Sequence, residues 1–316
     1  MPARTALILG LSLVAVIAAA GAVIAVAAAG RNAGDHAKAD AAEAKPAPAA
    51  APVSPASRPA VSPAASPSGP PKQTDPFTAE APYLGGREGV VSAAVYDLST
   101  GQLWSIGPGQ PQAEASIVKV DILETLLTQA GTGGALSGAD ADLAQGMIED
   151  SDNDSATDLW DAAGGASGIR SFNEAAGLTD TTPSPCVECA DFPWPGWGLS
   201  TTTPADQITL LRQIACPGGL LTSAQRGYAA GLMENITPSQ RWGVSAGVPA
   251  QVTVALKNGW LPLNQAGTDW QINSVGWVSG LGRNYLIAVL STGNPAEQYG
   301  IDTIDQLSAA VWSHLG

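Results

Sequence analysis

Histidine is almost missing from this chain of 316 residues: there are two, His36 and His314, one in a low-complexity stretch and one near the C-terminus. A Ser-His-Asp triad has almost no material to build from, and a histidine-rich metal site has none. Lysine is nearly as scarce. Of five, Lys38, Lys45 and Lys72 fall in the first quarter, leaving only Lys119 and Lys257 for the rest. Cysteine is limited to Cys186, Cys189 and Cys216. With no second cysteine pair and no nearby histidine, the C-x-x-C spacing points to a structural disulfide rather than to metal or redox chemistry, with one thiol over. Basic charge is short throughout: 14 Lys and Arg against 28 Asp and Glu give a net charge of −14. That balance argues against nucleic acid and against an anionic membrane surface as partners. No P-loop, dinucleotide fingerprint or internal repeat is present, and no cofactor or metal is expected.

Three regions differ in composition. Arg4 precedes an uncharged run from Thr5 to Gly30, rich in Leu, Ile, Val and Ala. Its length is enough to span a bilayer, so residues 1–30 read as a signal peptide or, preferably, a retained N-terminal anchor, and the protein as extracytoplasmic. No cysteine lies near it, which argues against a lipidated terminus. Residues 31–76 are dominated by Ala, Pro and Ser, a composition that buries too little apolar surface to order itself, and read as a tether. Residues 77–316 are expected to form one domain, and the protein to be a monomer touching membrane only through its N-terminal segment.

Within that domain, Gly89–Asp97 and Gln102–Ile106 read as a hairpin around the Leu98-Ser99-Thr100-Gly101 turn. An apolar helix begins near Ser116 and ends at the Gly131, Gly133, Gly134 cluster. Helices follow over 139–149, 156–163 and 167–176, then a Pro/Trp/Cys-rich excursion over 179–200. Thr203 and Pro204 open another helix with an N-cap and a first-turn proline, and 223–234 is one more. Period-two alternation then marks strands from Val252 to a strand end near Lys257, over 271–278 and over 285–291, before a last helix over 301–315. The fold class expected is α/β of the α+β kind: a five-stranded antiparallel sheet flanked by helices, with a mostly helical insert between its second and third strands.

Ser116 and Lys119 stand three apart at a helix start, so they share a face and the amine can reach the hydroxyl. A desolvated lysine can take the proton that makes serine a nucleophile. Ser151-Asp152-Asn153 brings a second hydroxyl beside an amide, and Lys257 precedes Asn258 and Gly259. Taken together, Ser116-x-x-Lys119, Ser151-Asp152-Asn153 and Lys257-Asn258-Gly259 resemble, in order and in placement, the S-x-x-K, S-D-N and K-T-G set of class A β-lactamases and penicillin-binding proteins. Thr201-Thr202-Thr203-Pro204 and Asn235-Ile236-Thr237 support the resemblance.

The resemblance implies a serine acyl hydrolase of the β-lactamase/transpeptidase fold. Its substrate would be a β-lactam, a cell-wall peptide or an ester. It implies that Ser116 is the acylated nucleophile, Lys119 its activating partner and Ser151 a proton relay. Asn153 would hold the acyl side-chain amide and Lys257 would supply positive potential. The backbone N–H groups of Ser116 and Trp260 would form an oxyanion hole. Alternatives are a D-alanyl-D-alanine carboxypeptidase or penicillin-binding enzyme, an esterase, or a non-catalytic cell-wall-peptide or protein-binding module on the same fold. The sequence departs from the family at Asn258, where a hydroxyl residue is usual, at the bulky Trp260, and in lacking an E-x-x-L-N motif for deacylation. Glu188 falls at a comparable distance along the chain and is the candidate for that role.

Overall fold

A computed structural model of the chain describes residues 74–190 and 192–315. The anchor expected over 1–30, and the tether up to residue 73, lie outside the described residues. After a short helix α1 (Ala81–Gly85), alternating small and branched residues form β1 (Val90–Asp97), which turns back into β2 (Leu103–Ile106). The Asp97 carboxylate closes that turn by accepting from the backbone N–H groups of Ser99 (2.7 Å) and Thr100 (3.2 Å). A two-residue strand β3 (Gln112–Ala113) leads to the helices α2 (Val118–Gln129), α3 (Ala139–Glu149), α4 (Asn153–Ala162) and α5 (Gly165–Ala176). The excursion that follows returns through β4 (Thr201–Thr202), paired with β3, into α6 (Pro204–Ala215) and α7 (Ser223–Glu234). Three long strands, β5 (Thr253–Pro262), β6 (Trp270–Gly280) and β7 (Arg283–Asn294), and α8 (Glu297–His314) complete the chain.

The five longer strands form one antiparallel sheet in the order β2-β1-β7-β6-β5, with the helical insert between β2 and β5, as the sequence implied. Period-two alternation divides the apolar residues between two faces. Ala94, Ala255, Leu286, Ala288 and Leu290 face a core built with α2 to α7. Ala93, Val95, Val254, Leu256, Ile287 and Val289 face a second core closed by Ile301, Ile304, Leu307 and Val311 of α8.

Four local readings change. α4 begins at Asn153 rather than 156, because the Asp152 side chain caps it by accepting from the Ser155 N–H at 2.7 Å. α8 begins at Glu297 rather than 301; no side chain caps its start, and Gly300 lets its first turn press onto Ile272. Lys257 is not at a strand end: β5 runs on through Gly259 and Trp260 to Pro262, paired with β6 throughout. Ser116 lies not in the first turn of a helix but in a 3₁₀ turn (Ala115–Ile117) that precedes α2. The disulfide joins Cys186 to Cys189 and leaves Cys216 as the free thiol.

Candidate active site

The turn that carries Ser116 is held from three directions. Ala115 has a φ of +49°, left-handed backbone that disfavours a residue with a Cβ and persists only where the surroundings impose it. Asn273 of β6 supplies one constraint, donating from Nδ2 to the carbonyls of Ala113 (2.9 Å) and Glu114 (2.8 Å). Gln271 braces that amide, donating to Asn273 Oδ1 (2.7 Å) and Gln112 Oε1 (3.0 Å), and all three side chains are buried. Opposite, the Glu114 N–H donates to the Ser200 carbonyl at 2.7 Å. The third constraint is Gly259. A Cβ there would lie 2.8 Å from Glu114 O and Ser116 N, and 2.9 Å from Ile117 N. Only a residue without a side chain allows β5 so close, and that approach sets Trp260 beside the Ser116 turn. β5 is the sheet's edge, so one row of its backbone groups has no strand partner.

Ser151, also at positive φ (+58°), presents its hydroxyl between the two lysines. Lys119 Nζ is 2.6 Å from Ser151 O, 3.1 Å from Ser151 Oγ and 2.8 Å from Asn153 Oδ1. Lys257 Nζ donates to Ser151 Oγ at 2.9 Å and to Asn258 O at 3.0 Å. Both lysines are fully buried. Burial, reinforced by the neighbouring Lys257 charge and opposed by Asp152, lowers the Lys119 pKa to about 6; burial lowers that of Lys257 to about 7. As an ammonium, Lys119 donates to all three of its neighbours. As a neutral amine it has two N–H groups and one lone pair, so two contacts stay donations and the Ser151 hydroxyl can donate to the third. The three side chains are therefore linked in one hydrogen-bonded chain from Lys257 through Ser151 to Lys119. The expected contact of Lys119 with Ser116 Oγ is not formed; its hydrogen bonds run to Ser151 and Asn153 instead. Asn153 Oδ1 is engaged by Lys119, so its amide N–H groups are what it can offer a ligand.

Ser116, Ser151, Asn153 and Trp260 line one cavity of about 390 Å³. Lys119 and Lys257 sit behind its surface, and so does Asn258, whose Nδ2 donates inward to the carbonyls of Gln240 (2.6 Å) and Trp242 (3.1 Å). Glu188 does not join them. It is exposed, inside the small Cys186–Cys189 ring, and is not among the residues lining the cavity. A position chosen by distance along the chain was carried elsewhere by the path of the loop. What the excursion does bring is apolar: Trp194, Pro195 and Trp197 line the cavity. Trp197 donates to Thr157 Oγ1 at 3.0 Å, and its ring centroid lies 5.0 Å from Lys119 Nζ. Trp270 and Glu297 also line it. Sequence reasoning missed these residues, and Asn273 and Gln271. The one usable signal was the density of tryptophan in the excursion.

The model of the beta-lactamase enzyme family matches residues 140–315, a span that includes Ser151, Asn153 and the Lys257–Trp260 run and begins after Ser116 and Lys119. The "Putative lipoprotein LppW" of Mycobacterium tuberculosis is 30% identical over 221 residues, covering 68% of this chain. The chain spans 66% of the length of that relative. Among solved structures, PBP-A superposes with a TM-score of 0.64 at 21% identity, covering 77% of this chain and 97% of PBP-A. An ancestral class A beta-lactamase gives 0.63 at 20%, covering 75% and 99%. TLA-1, an extended spectrum beta-lactamase, gives 0.64 at 17%, covering 77% and 99%. At these identities the superpositions speak for the fold.

Proposed function

Because the chain belongs to the beta-lactamase enzyme family, we propose that it is an extracytoplasmic serine acyl hydrolase working through an acyl-enzyme on Ser116, with β-lactams or related amides and esters as substrates. The observation that carries the reading is the meeting of two buried amines, both drawn toward neutrality, on the Ser151 hydroxyl in the cavity that Ser116 lines. Lys119 takes the Ser116 proton, directly or through Ser151, as Ser116 Oγ attacks the carbonyl carbon. Ser151 returns a proton to the leaving group, with Lys257 holding the Ser151 oxygen in position. The backbone N–H groups of Ser116 and Trp260 stabilise the oxyanion, each such donor being worth roughly 10²–10³ in rate. Asn153 orients the acyl group. A mutant of PBP-A is described as an acyl-enzyme complex with penicillin-G, which supports an acyl-serine as the intermediate here. With Glu188 outside the cavity, deacylation is slow and the adduct accumulates.

The relative's name describes a lipoprotein, in keeping with a membrane-anchored protein outside the cytoplasm. The apolar run over residues 5–30 is the segment proposed to serve as the anchor.

Intact mass after treatment with a fluorophosphonate, and separately with penicillin-G, tests the reading. A fluorophosphonate adduct lost in Ser116→Ala is expected, and absence of any adduct would leave a binding module as the better description. The penicillin arm decides whether β-lactams belong to the substrate range. Glu188→Gln is expected to leave the lifetime of any acyl-enzyme unchanged.

A further inference from the structure

Resting on the acyl-transfer reading above, we propose that this cleft prefers, among esters and amides, one carrying an aliphatic cation, an amine or quaternary ammonium, over one with a carboxylate at the same place. The groups that would meet a carboxylate are turned away. Lys257 is fully buried and donates to Ser151 Oγ and Asn258 O. The Asn258 amide, on the residue after it, directs Nδ2 to the carbonyls of Gln240 and Trp242, and its Oδ1 is buried without a partner. No lysine or arginine lines the cavity.

The charge that does line it is negative. Glu297, half-buried in the first turn of α8, is the one charged residue among those lining the cavity. Trp194, Trp197, Trp260 and Trp270 line the same cavity, the Trp197 ring with Lys119 Nζ 5.0 Å from its centroid. Trp260 is set against Trp242, with ring centroids 6.1 Å apart and planes at 62°, an edge-to-face contact that fixes its orientation. Tryptophan faces attract cations through the ring quadrupole, and a carboxylate within such a wall compensates the hydration an ammonium leaves behind. An apolar wall alone would suit any hydrophobic acyl group; the carboxylate is what selects the sign. The net charge of −14 adds a field that draws cations and repels anions during approach. With an ester, Ser116 Oγ bonds to the acyl carbon, the C–O bond breaks, and the alcohol leaves with the proton Ser116 gave up. Water then attacks the same carbon, restores the Ser116 hydroxyl and releases the acid.

The full chain would be assayed with three nitrophenyl esters of equal length whose acyl groups end in trimethylammonium, tert-butyl or carboxylate. A kcat/KM at least tenfold higher for the cationic ester than for its tert-butyl isostere is expected, with the anionic ester slowest. In Glu297→Gln the cation-to-neutral ratio should fall toward one, and in Glu297→Lys the preference should invert. Equal rates in the native chain, a preference for the anionic ester, or a ratio indifferent to Glu297→Gln would each overturn the proposal. Quenching of tryptophan fluorescence by butyltrimethylammonium, compared with 3,3-dimethylbutanol, reads the cation site without chemistry. If none of the esters acylates Ser116, the fluorophosphonate adduct judges the acyl-transfer reading by itself and the quench decides the cation site: Glu297-dependent quenching upholds it and none overturns it.

Discussion

Lys119 and Lys257 approach the same oxygen, and two ammonium groups there would repel in a dry setting where each has already lost its hydration. One of them must therefore be neutral when Ser116 is attacked, and Lys119, with its pKa lowered to about 6, is that one. Acylation of Ser116 should rise with pH through a half-maximum near 6 and fall about tenfold by pH 5, as single-turnover mass measurements would read it. Lys119→Arg, whose guanidinium stays protonated, should slow acylation by roughly 10²–10⁴ at every pH and abolish that profile. The sign for stability follows from the same shift. The unfolded chain binds protons that the folded one releases between about 6 and the ordinary value of 10.5, so both lysines favour folding increasingly as pH rises across that window. The residues that sequence alone could read were those whose type is scarce. With two lysines for a whole domain, each demanded a reason, and spacing supplied it for Ser116, Ser151 and Asn153. Glu297, Trp197 and Asn273 were illegible because carboxylates, rings and amides occur along the whole chain and acquire meaning only from neighbours in space.

At the scale of elements, the site is the place where the edge strand β5 leans on the Ser116 turn while β6 reaches past it to hold the same backbone. Gly259→Ala puts a methyl group within 3 Å of three backbone atoms that have nowhere to move. Acylation should fall at least tenfold with the melting temperature little changed, since β5 can step outward at the sheet's edge. Asn273→Leu removes the donors to the carbonyls of Ala113 and Glu114, leaving the latter only the 3.3 Å bond from the Ile117 N–H, at a cost of about 1–3 kcal/mol. Both stability and acylation rate should drop, and calorimetry beside single-turnover kinetics distinguishes this variant from Gly259→Ala. Strand and helix identities were readable from periodicity and from the Thr203-Pro204 start. Their ends were not: α4 takes its start from a cap whose motif suggested chemistry, α8 from contact with Ile272, and β5 from pairing that overrides the glycine at its centre.

Seen whole, the sheet divides the molecule into a small core under α8 and a larger one among the remaining long helices, and it is the larger that carries charge. Glu114, Asp121 and Glu124 are buried beside and along α2, and burial raises all three, Asp121 to about 7, with their mutual repulsion adding for both glutamates. The folded state keeps protons that the unfolded chain loses above the usual carboxyl range, so this set favours folding at low pH. That contribution declines by about 1.4 kcal/mol per pH unit and group as pH rises toward each folded-state value. Glu124→Gln should therefore raise the melting temperature relative to the native chain by more at pH 8 than at pH 4.5; an equal gap at both would mean that the carboxyl is ionised in the fold. The two-core plan was legible from alternating strands, whereas a trio of interior acids could not be told from a solvated helix face until the helix had been oriented. The two lysines of the described residues are both wholly buried, and this has a practical consequence. Amine-coupling dyes, crosslinkers and activated surfaces find no lysine on the folded domain, and the others in the sequence are Lys38, Lys45 and Lys72. Immobilisation through amines thus holds the protein by its N-terminal region with Ser116 unaffected, and uptake of such a reagent at Lys119 or Lys257 becomes a clock for the opening of the domain.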